Sequence, residues 1–347
     1  MKKLLTMMLV FALLFTACNN PTPPQEEDPI KTFSFTDSVG REVELPENIE
    51  RIAASGQLSQ MYLFPLCPEL LIGIANPWVE ESLIYVPEEY RELPVLGQFY
   101  GTGTMNMEEV IKAAPQVIID VGEAKKSIVE DMDEIMEQVN IPTIHIEASS
   151  SLSPEAFRTL GKLLKREEKA EELAVFIEET LNLVETTIQG REKKDVLYLL
   201  GNKGLQTLAE TSFHAEALDL VANNVAVVEQ VSFKGSGNEI DFEQILLWQP
   251  EVLFFAPDSI YEQIATDQTW QNLAAVKNGN YHYVPGLPYN WVTNPPSVNM
   301  YLGLLWLTDL LYPEQENFDF SSKAQEYYKI FYDYDLSLDE LAALLNP

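Results

Sequence analysis

The chain has 347 residues, 46% of them hydrophobic and 10% aromatic, enough for two domains of ordinary size with substantial apolar cores. Its 54 acids against 22 lysines and arginines give a formal net charge of −32, which excludes electrostatic binding to nucleic acid or anionic lipid and suits a basic partner. Two cysteines exclude a four-cysteine zinc site and a cysteine-ligated iron–sulfur cluster.

Lys2 and Lys3 form a positive n-region, and Leu4 to Phe15 form an apolar stretch too short to span a bilayer comfortably. Phe15-Thr16-Ala17-Cys18 resembles the lipobox of bacterial lipoproteins. That resemblance implies a signal peptide over 1–17, cleavage before Cys18 and a lipid on that cysteine. An ordinary secretory signal cut after Ala17 is the alternative. Losing two lysines and no acids takes the net charge from −32 to −34. The polar, proline-rich segment 18–31 reads as a flexible tether to the membrane. With Cys18 acylated, Cys67 has no partner, so no intrachain disulfide is expected.

Thr32–Asp37 and Arg41–Leu45 flank Ser38-Val39-Gly40 as a β-hairpin closed by Pro46. Arg51–Ala54 reads as a strand, 58–66 as a helix, and 70–75 and 94–96 as further strands. Asn106-Met107-Glu108-Glu109-Val110-Ile111 opens a helix, and Val117–Asp120 is a buried strand. Residues 128–139 form a helix and 143–146 a strand. Ser153 is a good N-cap, Pro154 suits the first helical turn, and apolar residues keep helical spacing to Ile188 before Gly190. This stretch predicts one long helix, or two end to end with a break near Lys165–Glu168. About 36 residues at 1.5 Å each would reach roughly 50 Å. Strands at 195–200, 252–256 and 281–284 follow, then an apolar helix after Pro296-Ser297 and amphipathic helices from 327 to 345.

The units before and after the long helical stretch superpose at a constant offset of 135 residues, Asn106 on Asp241 and Pro115 on Pro250. N-cap, acid, N3 partner, apolar pair, proline and strand recur in the same order. Strands alternating with helices imply mostly parallel sheets. The expected fold class is α/β, with two Rossmann-like lobes over 32–151 and 191–347 joined by a helical spine over 152–190. The ligand cleft is expected between the lobes.

Asp37-Ser38-Val39-Gly40-Arg41-Glu42-Val43, Leu45-Pro46, Arg51-Ile52, Pro115-Gln116-Val117-Ile118 and Phe331-Tyr332-Asp333-Tyr334-Asp335-Leu336 resemble the solute-binding proteins of ABC importers for ferric siderophores, haem and vitamin B12. The resemblance runs from about Phe33 to Leu345. It implies an extracytoplasmic, lipid-anchored monomer that captures a metal chelate and delivers it to the importer's permease subunits, with no cofactor of its own.

In open α/β sheets ligands bind beyond the C-terminal ends of strands. That rule collects Gln57, Trp78, Phe99 and Tyr100 from the first lobe and Phe213, His214, Tyr289 and Trp291 from the second. Aromatic loops facing each other suit a large, flat, partly apolar ligand. No arginine follows Arg191, and Lys203 is the second-lobe lysine placed near the cleft. This favours a neutral or weakly charged chelate, such as a corrinoid or hydroxamate siderophore. Haem stays open, with Tyr100, His214 or Tyr289 as an axial ligand.

Asn106 and Asp241 read as N-caps, and Glu109 and Gln244 stand at N3 to close capping boxes. Glu108 and Glu243 therefore fall at N2 of equivalent helices, free of any capping duty. The resemblance implies that they pair with arginines on the importer's membrane subunits; alternatively they only complement the helix dipoles. An importer component for bare Zn²⁺ or Mn²⁺ is the runner-up, but it needs clustered histidines, and the chain has only His145, His214 and His282. A lipid-anchored enzyme is the weakest reading. The sequence has no Walker loop and no G-x-S-x-G, and His214-Ala215-Glu216 lacks the P-C-x-x-C that would make it a deaminase motif.

Overall fold

A computed structural model describes residues 31–100, 103–232 and 234–346. The signal segment, Cys18 and most of the tether lie outside the described residues. Among the described residues no helix is long and apolar enough to cross a membrane.

β1 (Thr32–Thr36) and β2 (Glu42–Pro46) pair antiparallel, with Phe35 opposite Val43. Their turn is held by Asp37, whose carboxylate accepts the backbone N–H of Val39 and Arg41. The same carboxylate accepts the His145 N–H, and the Arg41 guanidinium bonds Asp37, the Thr143 carbonyl and Asp133. The Asp37–Arg41 motif thus fastens the hairpin to the edge of the first sheet.

That sheet joins β3 (Ile52–Ala54), β4 (Val117–Gly122) and β5 (Thr143–Glu147), all parallel in the order β3-β4-β5. Parallel sheets are covered on both faces, and every residue of β4 is buried. The strands expected at 70–75 and 94–96 shrink to single parallel bridges, Ile52 to Leu71 and Ile74 to Val95. Read across, the chain order reverses between β3 and β4. α1 (Gln57–Leu66), α2 (Met107–Ala113) and α3 (Ile128–Val139) complete this half. Cys67 caps the end of α1, buried and free, its thiol 3.5 Å from the Leu63 carbonyl.

The connector is not a 50 Å rod. α4 (Ser153–Leu164) ends at Lys165 in the left-handed conformation, and α5 (Glu167–Ile188) folds back alongside it. Arg158 bonds both Glu171 at 2.8 Å and Glu178 at 2.6 Å. In one straight helix Arg158 and Glu178 would stand ~30 Å apart. Gly161 permits the close crossing, since a Cβ there would meet the Ala170 Cβ at 2.3 Å.

β6 (Asp195–Leu200) begins the second half, followed by β7 (Gln206–Thr207), α6 (Glu216–Val221), β8 (Asn223–Asn224), β9 (Asn238–Glu239) and α7 (Phe242–Trp248). β10 (Val252–Phe255), α8 (Tyr261–Ile264), α9 (Ala274–Lys277) and β11 (Tyr281–Tyr283) continue it. β8, β6, β10 and β11 run parallel; β7 and β9 extend the sheet antiparallel from β6. α10 (Asn299–Leu311), α11 (Phe320–Tyr332) and α12 (Leu338–Leu345) close the chain.

The internal repeat extends beyond the sequence pattern. Both helices end on a left-handed residue, Ala114 and Gln249. The Gln116 side chain accepts the Arg51 N–H, and Glu251 accepts the Asp195 N–H in the same place. The α7 capping box closes through Asp241 and Gln244. The α2 box stays half open: Asn106 accepts the Glu109 N–H, while the Glu109 carboxylate turns to Lys112 at 3.4 Å.

One hydrophobic cluster crosses from the first half to the second, and α5, α10 and α11 lie in it. Phe176 of α5 packs tilted on Tyr327 at 5.9 Å and edge-on to Phe331 at 5.7 Å, and Phe64 of α1 meets Tyr332 at 6.4 Å. Tyr85 sits between Tyr328 and Tyr334, and the Ser82 hydroxyl donates to the Pro288 carbonyl. Gly161→Val should force the α4–α5 crossing apart and destabilise the fold by about 1–3 kcal/mol in urea unfolding, because overpacking a close helix contact displaces backbone.

Candidate functional site

The reversal of strand order in the first sheet leaves a crevice beyond the ends of β3 and β4, where such sheets accept ligands. A cleft of about 820 Å³ lies there, walled by Ser55–Ser59 and Asp120–Gly122 on one side. Phe213, His214, Lys234–Ser236 and Pro295 wall it from the second half.

The floor is a buried polar chain. Ser59 accepts the Val121 N–H at 2.8 Å and lies 3.0 Å from the Ser55 hydroxyl. Ser55 in turn donates to Asp120, whose other oxygen is 2.6 Å from His145 Nδ1. His145 Nε2 is buried without a partner. His145 is a buried support behind the wall, inside β5. Among the described residues no group of three histidines, cysteines or acids could hold a metal ion.

The rim of the first half is Tyr100, with Phe99 packed edge-on behind it at 5.1 Å. The Tyr100 hydroxyl donates to Asp131 at 2.7 Å, and the Lys125 ammonium sits 3.4 Å over its ring. Burial together with the hydrogen bond to Asp131 pushes the Tyr100 phenol far above its ordinary range. A tyrosinate ligand for haem iron is therefore disfavoured at this position. Gln57 lines the wall, its side-chain carbonyl accepting from Asn76 at 2.9 Å.

On the opposite wall a short turn before α6 presents Phe213 and His214, their rings 5.6 Å apart. His214 Nδ1 is 3.3 Å from the Thr293 hydroxyl, and burial lowers the imidazole's affinity for a proton. Lowered from an ordinary value already below neutral, the ring is uncharged at neutral pH. The Lys234–Ser236 loop passes close behind: a Cβ on Gly235 would fall 2.7 Å from Asn294 Oδ1.

Of the nine residues expected at the cleft, the structure brings Gln57, Tyr100, Phe213 and His214 to its walls. Phe99 supports from behind, packed in the first half's own core. Trp78 packs edge-on to Phe64 at 4.9 Å and tilted on Tyr289 at 5.8 Å, and the Tyr289 hydroxyl is held by Gln60 at 3.1 Å. Both belong to the seam between the halves, so Tyr289 is not placed to ligate haem. Trp291 is buried beside Trp306 and Phe320, its indole N–H donating to the Leu287 carbonyl. Lys203 is also displaced. β7 turns back directly after β6, so the loop beyond β6 is a hairpin turn facing its own groove with Gln206 and Glu239. The sequence reading missed Ser55, Asp120, Lys125 and Lys234. Asp120 was legible in principle, as an acid ending an otherwise apolar strand.

Glu108 and Glu243 are exposed at N2 of α2 and α7 and make no ion pair or hydrogen bond among the described residues.

Residues 68–286 match the family described as periplasmic binding protein. An ABC transporter solute binding protein from Sulfurospirillum deleyianum superposes with a TM-score of 0.83 at 30% identity, covering 90% of this chain and 99% of that one. The molybdate-binding protein MolA of Haemophilus influenzae is 23% identical over 330 residues, 86% of this chain and 90% of the relative. The Fe(3+)-citrate-binding protein YfmC of Bacillus subtilis is 24% identical over 184 residues, 51% of this chain and 56% of the relative. Two α/β halves around a shared cleft agree with these matches: the chain belongs to the periplasmic binding protein family and is a non-enzymatic solute-binding component of an ABC transporter.

Proposed function

We propose that the cleft captures an iron or cobalt chelate of siderophore size, weakly charged overall, for delivery to the transporter's membrane subunits. The observation that carries this reading is the composition of the walls. Phe213, His214 and Tyr100 offer apolar and aromatic surface, while Lys125 and Lys234 roughly balance Asp120 and Glu123. A volume of about 820 Å³ is within the range that buries a drug-sized ligand. The metal arrives within the cargo, and the protein needs no resident cofactor. A ferric hydroxamate fits these walls better than a highly anionic catecholate, which calls for several arginines. A corrinoid would project from the mouth. Haem retains one candidate ligand, His214.

A small oxyanion is the second reading. The N-terminus of α1 carries no side-chain cap and its first residues line the cleft, an arrangement that favours anions. MolA, named for molybdate, is a relative over most of the chain. The buried Asp120 carboxylate opposes this, since it already supplies a negative charge beside that helix end. Calorimetric titration with ferric hydroxamates, cobalamin, haemin, ferric citrate and molybdate separates the readings. Micromolar or tighter binding of a chelate with no molybdate heat is the expected result; molybdate binding alone would overturn it. Phe213→Ala should weaken chelate binding roughly tenfold, as loss of one aromatic anchor does, whereas Trp291→Phe should leave it unchanged. Tryptophan fluorescence is a poor reporter, because Trp78 and Trp291 stand off the cleft.

Cys18 anchors the protein to the outer face of the cell membrane, where it acts as a monomer. Glu108 and Glu243 dock the two halves on basic residues of two membrane subunits. Both helices begin beside the cleft: Met105, just ahead of α2, donates its N–H to the carbonyl of wall residue Gln98, and Ser236 leads through β9 to Asp241. Glu108→Lys with Glu243→Lys should abolish uptake while leaving ligand affinity intact; normal uptake by the double variant would reject the docking role. The aromatic seam limits closure, so scattering curves with and without ligand should nearly coincide, and a large domain rotation would count against this arrangement.

A further inference from the structure

We propose that each docking point is a carboxylate paired with an aliphatic side chain, so that the membrane subunits offer an apolar surface beside each basic residue. This rests on the docking role of Glu108 and Glu243 and adds the second half of each contact. Val110 of α2 and Ile245 of α7 are equivalent in the repeat, and both are buried against their own halves. The next residues, Ile111 and Leu246, are equivalent too, yet they face solvent, 50% and 41% exposed. Leu247 beside Leu246 is 81% exposed. Single exposed aliphatics are ordinary on any surface. A large aliphatic in the same outward register of both copies of a repeated unit is a different observation, because nothing in either helix requires it.

Position completes the argument. Ile111 stands three residues after Glu108, and Leu246 three after Glu243, and residues at that spacing share a helix face. Each face therefore carries an unpaired carboxylate with an unpartnered aliphatic one turn on. In α2 the neighbouring charges cancel locally, Lys112 against Glu109, leaving Glu108 as the free charge. The strongly acidic chain, at −32 overall, selects a basic partner, and the aliphatics require that this partner also be locally apolar. The transporter's membrane subunits, twice over, are the occupant with that chemistry. Charge steers the encounter and fixes orientation, while the buried aliphatics slow release. Leu247 has Lys112 as its counterpart, so the second point is the more apolar of the two and the two docking points are not interchangeable.

The test uses the full lipid-anchored chain and its transporter's membrane subunits in nanodiscs. Ile111→Ser with Leu246→Ser is compared with Glu108→Lys with Glu243→Lys, and with Val227→Ser as an exposed control elsewhere. The aliphatic double variant should bind the membrane subunits about tenfold more weakly or worse, with chelate titration and thermal unfolding unchanged. At about 1 M salt, where the screening length falls to ~3 Å, the wild type should keep residual binding that this variant loses. Wild-type binding by the aliphatic variant, with binding broken by charge reversal, would sink the aliphatic role alone. Wild-type binding by both would sink the carboxylate docking as well. If sedimentation shows the isolated chain self-associating, and the aliphatic variant does not, the patch pairs copies of this chain and the proposal fails.

Discussion

The fold depends on a tyrosine-rich seam that locks its two α/β halves together. Tyr85 packs edge to face on Tyr334 and tilted on Tyr328, which packs tilted on Tyr332, with Phe64 against Tyr332 and Trp78 on Tyr289. Such pairs contribute about 0.5–1.5 kcal/mol each beyond the area they bury. The hydroxyls are used as well: Tyr328 donates to the Leu287 carbonyl at 2.6 Å, and Tyr301 to the Ser150 carbonyl at 2.8 Å. Burial pushes the Tyr328 and Tyr301 phenols well above their ordinary range, so the seam stays uncharged across the physiological span of pH. The α4–α5 hairpin lies across the back and ties both halves to the same apolar cluster. The seam therefore sets how the two halves face each other across the cleft.

The two walls differ in kind. The first-half wall is the end of a parallel sheet, with side chains wired together from Ser59 through Ser55 and Asp120 to His145. Moving Asp120 would strand a charge inside the protein, so that wall is rigid for an electrostatic reason. The second-half wall is made of a short helical turn and a loop, and His214 reaches Thr293 at 3.3 Å.

Much of this was legible in the sequence. Period-2 and period-3.6 patterns located the hairpin, α3 at its full span, and the repeated helix–strand unit, because local spacing alone determines those elements. The 135-residue repeat led directly to Asn106 and Asp241 as caps, both of which cap. Tertiary context decided what failed. Nothing in the residues from Ser153 to Gln189 says whether two helices run on or fold back; Lys165 in the left-handed region and Gly161 under Ala170 decide it. Trp78, Tyr289 and Trp291 sit in loops and look like a binding surface, yet loops crossing between two halves have a core of their own to fill. The strand-end rule failed at Lys203 because an antiparallel β7 occupies the position where a parallel crossover would open a crevice.

Cys67 has a quieter consequence. Its thiol is buried at the end of α1, and burial pushes it well above the range in which a thiolate forms. Exchange with disulfides proceeds through the thiolate and needs access to solvent, and Cys67 has neither. Among the described residues there is thus no covalent staple to scramble, and the one thiol is shielded from exchange with disulfides in its surroundings.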